Sequence, residues 1–172
     1  MENFAGIGRN MMISDKYFKL YLRDSLLPYG LNASEGIVLL MMYQSNSSMD
    51  IEKNPGWHPV PNTQDELIQK IHYDKGVMTR TMKDLESKGF VTRTVNPEDS
   101  RSFLFALTKK SLEFKDTLIS ILKTWHNRLL SGLTDEELAT VARVLGIMAK
   151  NSTSFYLDAS MQVQKYKKEV VK

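Results

Sequence analysis

Residues 63–108 read TQDELIQKIHYDKGVMTRTMKDLESKGFVTRTVNPEDSRSFLFALT, and the order of elements in this stretch decides the fold. Thr63 can cap a helix that carries Leu67, Ile68 and Ile71 on one side. Tyr73-Asp74 makes a break, and Asp74 can cap a second helix that ends at Gly89, where a left-handed residue costs least. Phe90 to Val95 then reads as a strand, Asn96-Pro97-Glu98-Asp99 as a turn, and Ser102 to Leu107 as the returning strand. Helix, turn, helix and a two-stranded ribbon is the plan of a winged helix-turn-helix.

The second helix can be tested by its period. At about 100° per residue, Met78, Thr81, Met82 and Leu85 cluster within roughly 100° of one another. Lys75, Gly76, Thr79, Arg80, Lys83 and Ser87 gather on the opposite side. The first set suits a core, and the second is small, hydroxyl-bearing or cationic. A major groove accepts such a face: Arg offers two donors to guanine, Thr can meet a thymine methyl, and a glycine lets the backbone approach. A merely solvated helix face is also charged, but here Asp84 and Glu86 fall at the margins of the basic side. Lys75, Gly76, Thr79, Arg80 and Lys83 are therefore expected DNA contacts, joined by Arg93 on the first wing strand and by Ser100 and Arg101 at the wing tip.

The chain has 172 residues, 42% hydrophobic and 25% charged, which suits one soluble domain with helical extensions. Its 23 Lys and Arg against 20 Asp and Glu leave a net charge of only +3, so placement of charge says more than its sum. There is no cysteine, which excludes disulfides, zinc–thiolate sites and thiol redox sensing. No apolar run reaches membrane-spanning length. MENFAGIGRNMMISDKY lacks the layout of a signal peptide, and a cytoplasmic location is expected by elimination.

Outward from the central stretch, residues from about Ile13 to Leu27 are expected to form a first helix, with Ser14 as a cap and Phe18, Leu22 and Leu26 at fourfold spacing. Pro28 and Gly30 end it. Asn32-Ala-Ser-Glu35 resembles a capping box that opens a second helix, apolar nearly all round from Ile37 to Met42 and so centrally buried. Residues 45–62 read as a long loop, in which Trp57-His58 can anchor onto the body or meet a ligand. A long helix follows from Thr108 to about Ser131, striped by Leu118, Leu122, Trp125 and Leu129. Gly132 breaks it, and Thr134 with Glu137 can box the start of a last helix. The chain closes on the basic segment QKYKKEVVK. The expected division is an N-terminal dimerisation helix over 1–30, a winged DNA-binding region over 31–108, and C-terminal dimerisation helices with a basic tail over 109–172. The terminal helices carry more apolar surface than one winged unit can cover, and burial by a second copy is the economical answer.

Over residues 13–150 the sequence resembles the MarR family of bacterial transcription regulators. The resemblance rests on Thr63-Gln64 with Leu67, Asp74-Lys75, Met78-Thr79-Arg80, Leu85-Glu86 with Gly89, Asp99-Ser100-Arg101, and Leu107-Thr108. It implies a mainly α fold with a small β wing, and a homodimer built from long N- and C-terminal helices. It also implies that Arg101 reaches the minor groove while Asp99 fixes the wing. Ser100 stands where the family often carries a second arginine, and the loop over 45–62 is longer than usual.

His58, His72 and His126 lie on three separate elements without metal-ligand spacing, so no metal or cofactor is expected. No phosphate loop or nucleophile motif is present, and an enzyme is not expected. Ten methionines are core filler at helical spacing or the walls of an adaptable pocket. The resemblance implies a small aromatic effector, for which Tyr17, Tyr21, Met42 and Tyr43 are the first candidates, although core packing explains each separately. The expected function is a homodimeric, ligand-responsive repressor on double-stranded DNA. A winged-helix protein-interaction module and a constitutive DNA-binding architectural protein are the alternatives.

Overall fold

The computed structural model describes the backbone of residues 2–46 and 60–170 and the side chains of residues 6–46 and 60–157. Trp57-His58 lies outside the described residues. The chain divides into two compact units, Met1–His126 and Asn127–Lys172.

Within the first unit, α1 spans Glu2–Leu26 and a 3-10 turn follows at Leu27–Tyr29. Then come α2 (Ala33–Ser45), a two-residue strand β1 (Asn62–Thr63), α3 (Gln64–Ile71) and α4 (Lys75–Ser87). The wing strands β2 (Val91–Val95) and β3 (Phe103–Leu107) precede α5 (Lys109–Leu129), whose last three residues belong to the second unit. The three strands form one antiparallel sheet in the order β1-β3-β2. In its register Arg93 faces Phe105 and Val95 faces Phe103.

The helix starts follow from their caps. Asn32 and Glu35 form a reciprocal capping box on α2, and Thr63 with Glu66 forms another on α3. Asp74 Oδ1 accepts from the backbone N–H of Gly76 and Val77 and opens α4. Gly89 closes that segment with φ +73°, a value only glycine adopts without strain. His72 caps α3 at φ 58° and bends the chain toward α4.

The core forms where these elements meet. Leu22 and Leu26 of α1, Val38, Leu39 and Met42 of α2, and Leu67 of α3 are fully buried. Met78, Met82 and Leu85 of α4, and Leu118 of α5, complete it. Each such side chain contributes about 1.5–3 kcal/mol by leaving water. Gly36 lets α2 pack closely on α1, because a Cβ there would run into Leu26 Cδ1 and force that buried side chain to shift. The run from Ile37 to Met42 is central as expected, with Val38, Leu39 and Met42 buried and Ile37, Leu40 and Met41 half-buried.

Asn46 ties the base of the segment that follows α2. Its Oδ1 accepts from Val60 N at 2.7 Å, and its amide donates to Met42 O at 2.8 Å. Trp125 of α5 packs against Phe18 and Tyr21 of α1 with tilted rings, the centroids 5.6 and 5.3 Å away.

The second unit is dominated by α6, Asp135–Val170, which runs through the basic segment read as a tail to within two residues of the C-terminus. At its start Thr134 N and Thr134 Oγ1 both donate to Glu137 Oε2, which holds the Glu137 carboxyl below its ordinary value.

Two expectations need correction. The first helix begins at Glu2 and not near Ile13, so Ser14 lies mid-helix. Gly6 and Gly8 each cost about 1 kcal/mol relative to alanine but, unlike proline, leave the hydrogen-bond ladder whole. Asn62, read as loop, belongs to β1, because a two-residue strand has too few positions to show a period.

Candidate nucleic-acid interface

The inner side of α4 is sealed: Met78, Thr81, Met82 and Leu85 are all buried. Lys75, Gly76, Thr79, Arg80, Lys83 and Ser87 are exposed on its outer side, as their spacing requires. Among the described residues, Lys75, Arg80 and Lys83 have no ion-pair partner. Gly76 has a local reason to be glycine, since a Cβ there would sit 3.0 Å from the Asp74 carboxylate that caps the helix.

The wing tip is held by two short polar side chains. Asn96 Oδ1 accepts from Glu98 N, and Asp99 Oδ1 accepts from Arg101 N at 3.1 Å and Arg101 Nε at 3.3 Å. Ser102 N and Oγ both donate to Asp99 O, which closes the turn. Ser100 is exposed, and the Arg101 side chain is 92% exposed, so its pairing with Asp99 leaves the guanidinium open to a partner. At the root of the wing, the Arg93 guanidinium lies 3.4 Å from the centroid of the Phe103 ring. This diagonal cross-strand pair keeps the cation flat against the sheet.

α3 is joined to the outer side of α4 by a contact that periodicity cannot reveal. Gln64 Nε2 donates to Thr79 Oγ1 at 2.7 Å, and Thr79 Oγ1 donates to Lys75 O at 2.8 Å. Gln64 was legible only as part of a family motif. The capping acid Glu35 makes a second contact that the sequence does not reveal: fully buried, it accepts from Asn32 N through Oε2 at 2.7 Å as its spacing requires, and from Lys88 Nζ through Oε1 at 2.6 Å.

The residues expected to hold an effector are not brought together. Tyr17 is exposed on α1, and Tyr21 OH donates to Ile121 O beside Trp125. Met42 is fully buried core. Tyr43 OH donates to Ser111 O at 2.6 Å, and burial pushes its hydroxyl up to about 12. Two of the four therefore serve packing, because the apolar α2 turns them inward. A cavity of about 600 Å³ opens elsewhere, between α1, the start of α2 and α4. Lys16, Lys19, Arg23 and Arg80 line it with Leu20 and Val77 between them, and Asp84 is the acid on its wall. Lys19 and Arg23 are paired with Asp15 and Asp24.

Among the described residues there is no cluster of acids and histidines that could hold a metal, and no helix long and apolar enough to cross a membrane.

Comparison with known proteins agrees with this arrangement. The family model of the MarR family matches residues 58–103. The HTH-type transcriptional regulator BilQ of Clostridioides difficile (strain CD3) is 27% identical over 139 residues, which cover 81% of this chain and 84% of that one. Among solved structures, a MarR transcriptional regulator from Methanosarcina mazei Go1 superposes with a TM-score of 0.74 at 22% identity, over 88% of this chain and 99% of the other. A mutant MarR from E. coli, complexed with operator DNA, has a TM-score of 0.69 at 24% identity, over 85% and 95% of the two chains.

Proposed function

As this chain is a member of the MarR family, a group of transcription regulators with a DNA-binding winged helix, we propose that it is a sequence-specific repressor that grips a pseudo-palindromic operator as a homodimer. The carrying observation is the outer side of α4: three exposed cations without ion-pair partners among the described residues, around Thr79 and above a sealed apolar face. Arg80 is the base reader of that set, Lys75 and Lys83 meet phosphates, and Arg93, Ser100 and Arg101 extend the contact along the wing. That a protein of the same fold from E. coli is complexed with operator DNA supports a DNA-binding role for this fold here.

Two exposed apolar sets support the homodimer. In the first unit, Ile7, Met11, Met12 and Tyr17 stand out from α1. In the second, Val144, Leu145, Ile147, Phe155 and Tyr156 stand out from α6. A second copy covers them, in keeping with terminal helices that dimerise and a central region that binds DNA. The cationic cavity beside α4 is where a small aromatic acid acts: its carboxylate meets Lys16 and Arg80, its ring meets Leu20 and Val77, and binding there bears directly on the reading helix. Such a ligand releases DNA only if it favours the non-binding arrangement by several kcal/mol.

The test is selection of duplexes from a random library by the purified protein, followed by a salt titration on the enriched site. An inverted repeat with half-sites about one helical turn apart, bound far more tightly than random DNA, is expected. Equal binding of all sequences would favour a constitutive architectural protein. No binding of duplex DNA would favour a protein-interaction module.

A further inference from the structure

We infer that Gln64, at the first position of α3, is a specificity-determining residue that reads an adenine, and that Thr79 serves it by fixing the direction of its amide. This inference rests on the reading of α4 as the DNA-contacting helix.

The argument begins with the Thr79 hydroxyl. It has one proton, and that proton is committed to Lys75 O. Toward Gln64 the oxygen can therefore only accept, so the NH₂ end of the Gln64 amide must face it. The hydroxyl has no donor left for a guanine or thymine oxygen, and only its methyl remains for apolar contact. Gln64 keeps one N–H and its carbonyl oxygen. A donor and an acceptor on one amide match the N7 and N6–H of adenine in the major groove.

Position supports the same assignment. Gln64 lines two adjoining recesses that share Phe103 and Phe105 as a floor. One contains Lys83 and Arg93 together with Glu86, and the other contains Lys75 and Arg101 together with Asp65. Gln64 thus stands on the ridge between two pairs of cations. A duplex whose phosphates meet both pairs presents the groove between them to this amide. The start of α3 does not depend on the amide, because Thr63 and Glu66 provide the cap.

The experiment compares duplexes selected from a random library by the wild-type protein and by Gln64→Glu, Gln64→Ala and Thr79→Val, with thermal unfolding of each. The wild type is expected to fix adenine at one position of each half-site. A carboxylate is an acceptor only and prefers the cytosine N4 amine, so Gln64→Glu should shift that position from adenine to cytosine by about tenfold, with all other positions retained. Gln64→Ala should lose preference there, and Thr79→Val should blur that position while leaving the thermal midpoint within a few degrees. If the two Gln64 variants select the wild-type sequence with uniformly weaker binding, the side chain only positions the protein and the inference fails. A wild-type protein that enriches no sequence overturns the regulator reading itself, a result distinct from that one.

Discussion

Lys88 Nζ lies 2.6 Å from Glu35 Oε1 and joins the end of α4 to the start of α2, 53 residues away. The carboxylate is fully buried, while the Lys88 side chain is 35% exposed. Its other oxygen is occupied by Asn32 N, so the acid is satisfied only while both partners are present. The pair fixes how α4 leaves the core.

Lys88→Met should therefore strand a buried charge and cost about 1–3 kcal/mol, below the range for fully buried pairs because water reaches the lysine. The double variant Glu35→Gln with Lys88→Met should recover part of that loss, since no charge is then left without its partner. Urea denaturation of the two variants measures the difference. An unchanged midpoint for Lys88→Met would show that Asn32 alone holds the carboxylate.

The cations of α4 should separate by role. Arg80→Ala should weaken the selected operator by about 1–3 kcal/mol and relax one base pair per half-site. Lys75→Ala and Lys83→Ala should weaken all sequences alike and lower the salt slope by about one each. Arg101→Ala should reduce affinity with the fold intact, and flanking A·T content should matter less afterwards. Titrations on operator and random duplex at several salt concentrations distinguish these patterns, and equal losses on both duplexes for Arg80→Ala would remove it from base reading.

Dimerisation should depend on side chains that the fold of each unit does not use. Met11→Glu with Ile7→Lys on α1, or Ile147→Asp with Phe155→Asp on α6, places charges at exposed positions. These variants should keep their helical content and sediment as monomers, with operator affinity falling by orders of magnitude as the second half-site is lost. Dimers that survive both pairs of changes would place the interface elsewhere.

Tyr43 makes stability fall in alkali. Its hydroxyl proton is bound more tightly in the folded protein, at about 12 against an ordinary value of 10.0, because burial opposes the phenolate. The folded state therefore holds more protons than the unfolded state between those values. Stability from this group is fully present below about pH 10 and is lost as pH rises toward about 12, by on the order of 2–3 kcal/mol. Tyr43→Phe should flatten that part of the profile in denaturation curves at pH 9, 10 and 11. Parallel profiles for the two proteins would assign the alkaline loss to other groups.

The helices of the reading unit were legible because each carries a cap and a period: Thr63 before Leu67, Asp74 before Met78, and Asn32 before Val38. The outer side of α4 followed from the same arithmetic. Contacts across elements were not, since nothing in the string relates Gln64 to Thr79 or Glu35 to Lys88. Met42 and Tyr43 show the opposite failure. Their chemistry suited a ligand wall, but a helix apolar nearly all round turns such residues into the core. The cationic cavity draws on α1, α2 and α4 at once, and the charges that define it are scattered among ordinary surface residues when read in order.

The hydrogen bond from Val60 N to Asn46 Oδ1 makes a single amide answer for the junction between α2 and the entry to β1. Asn46, the C-cap of α2, thereby holds Val60 two residues before β1, and β1 leads directly into α3. Loss of that one amide, as in Asn46→Ala, should therefore loosen the end of α2 and the approach to α3 together.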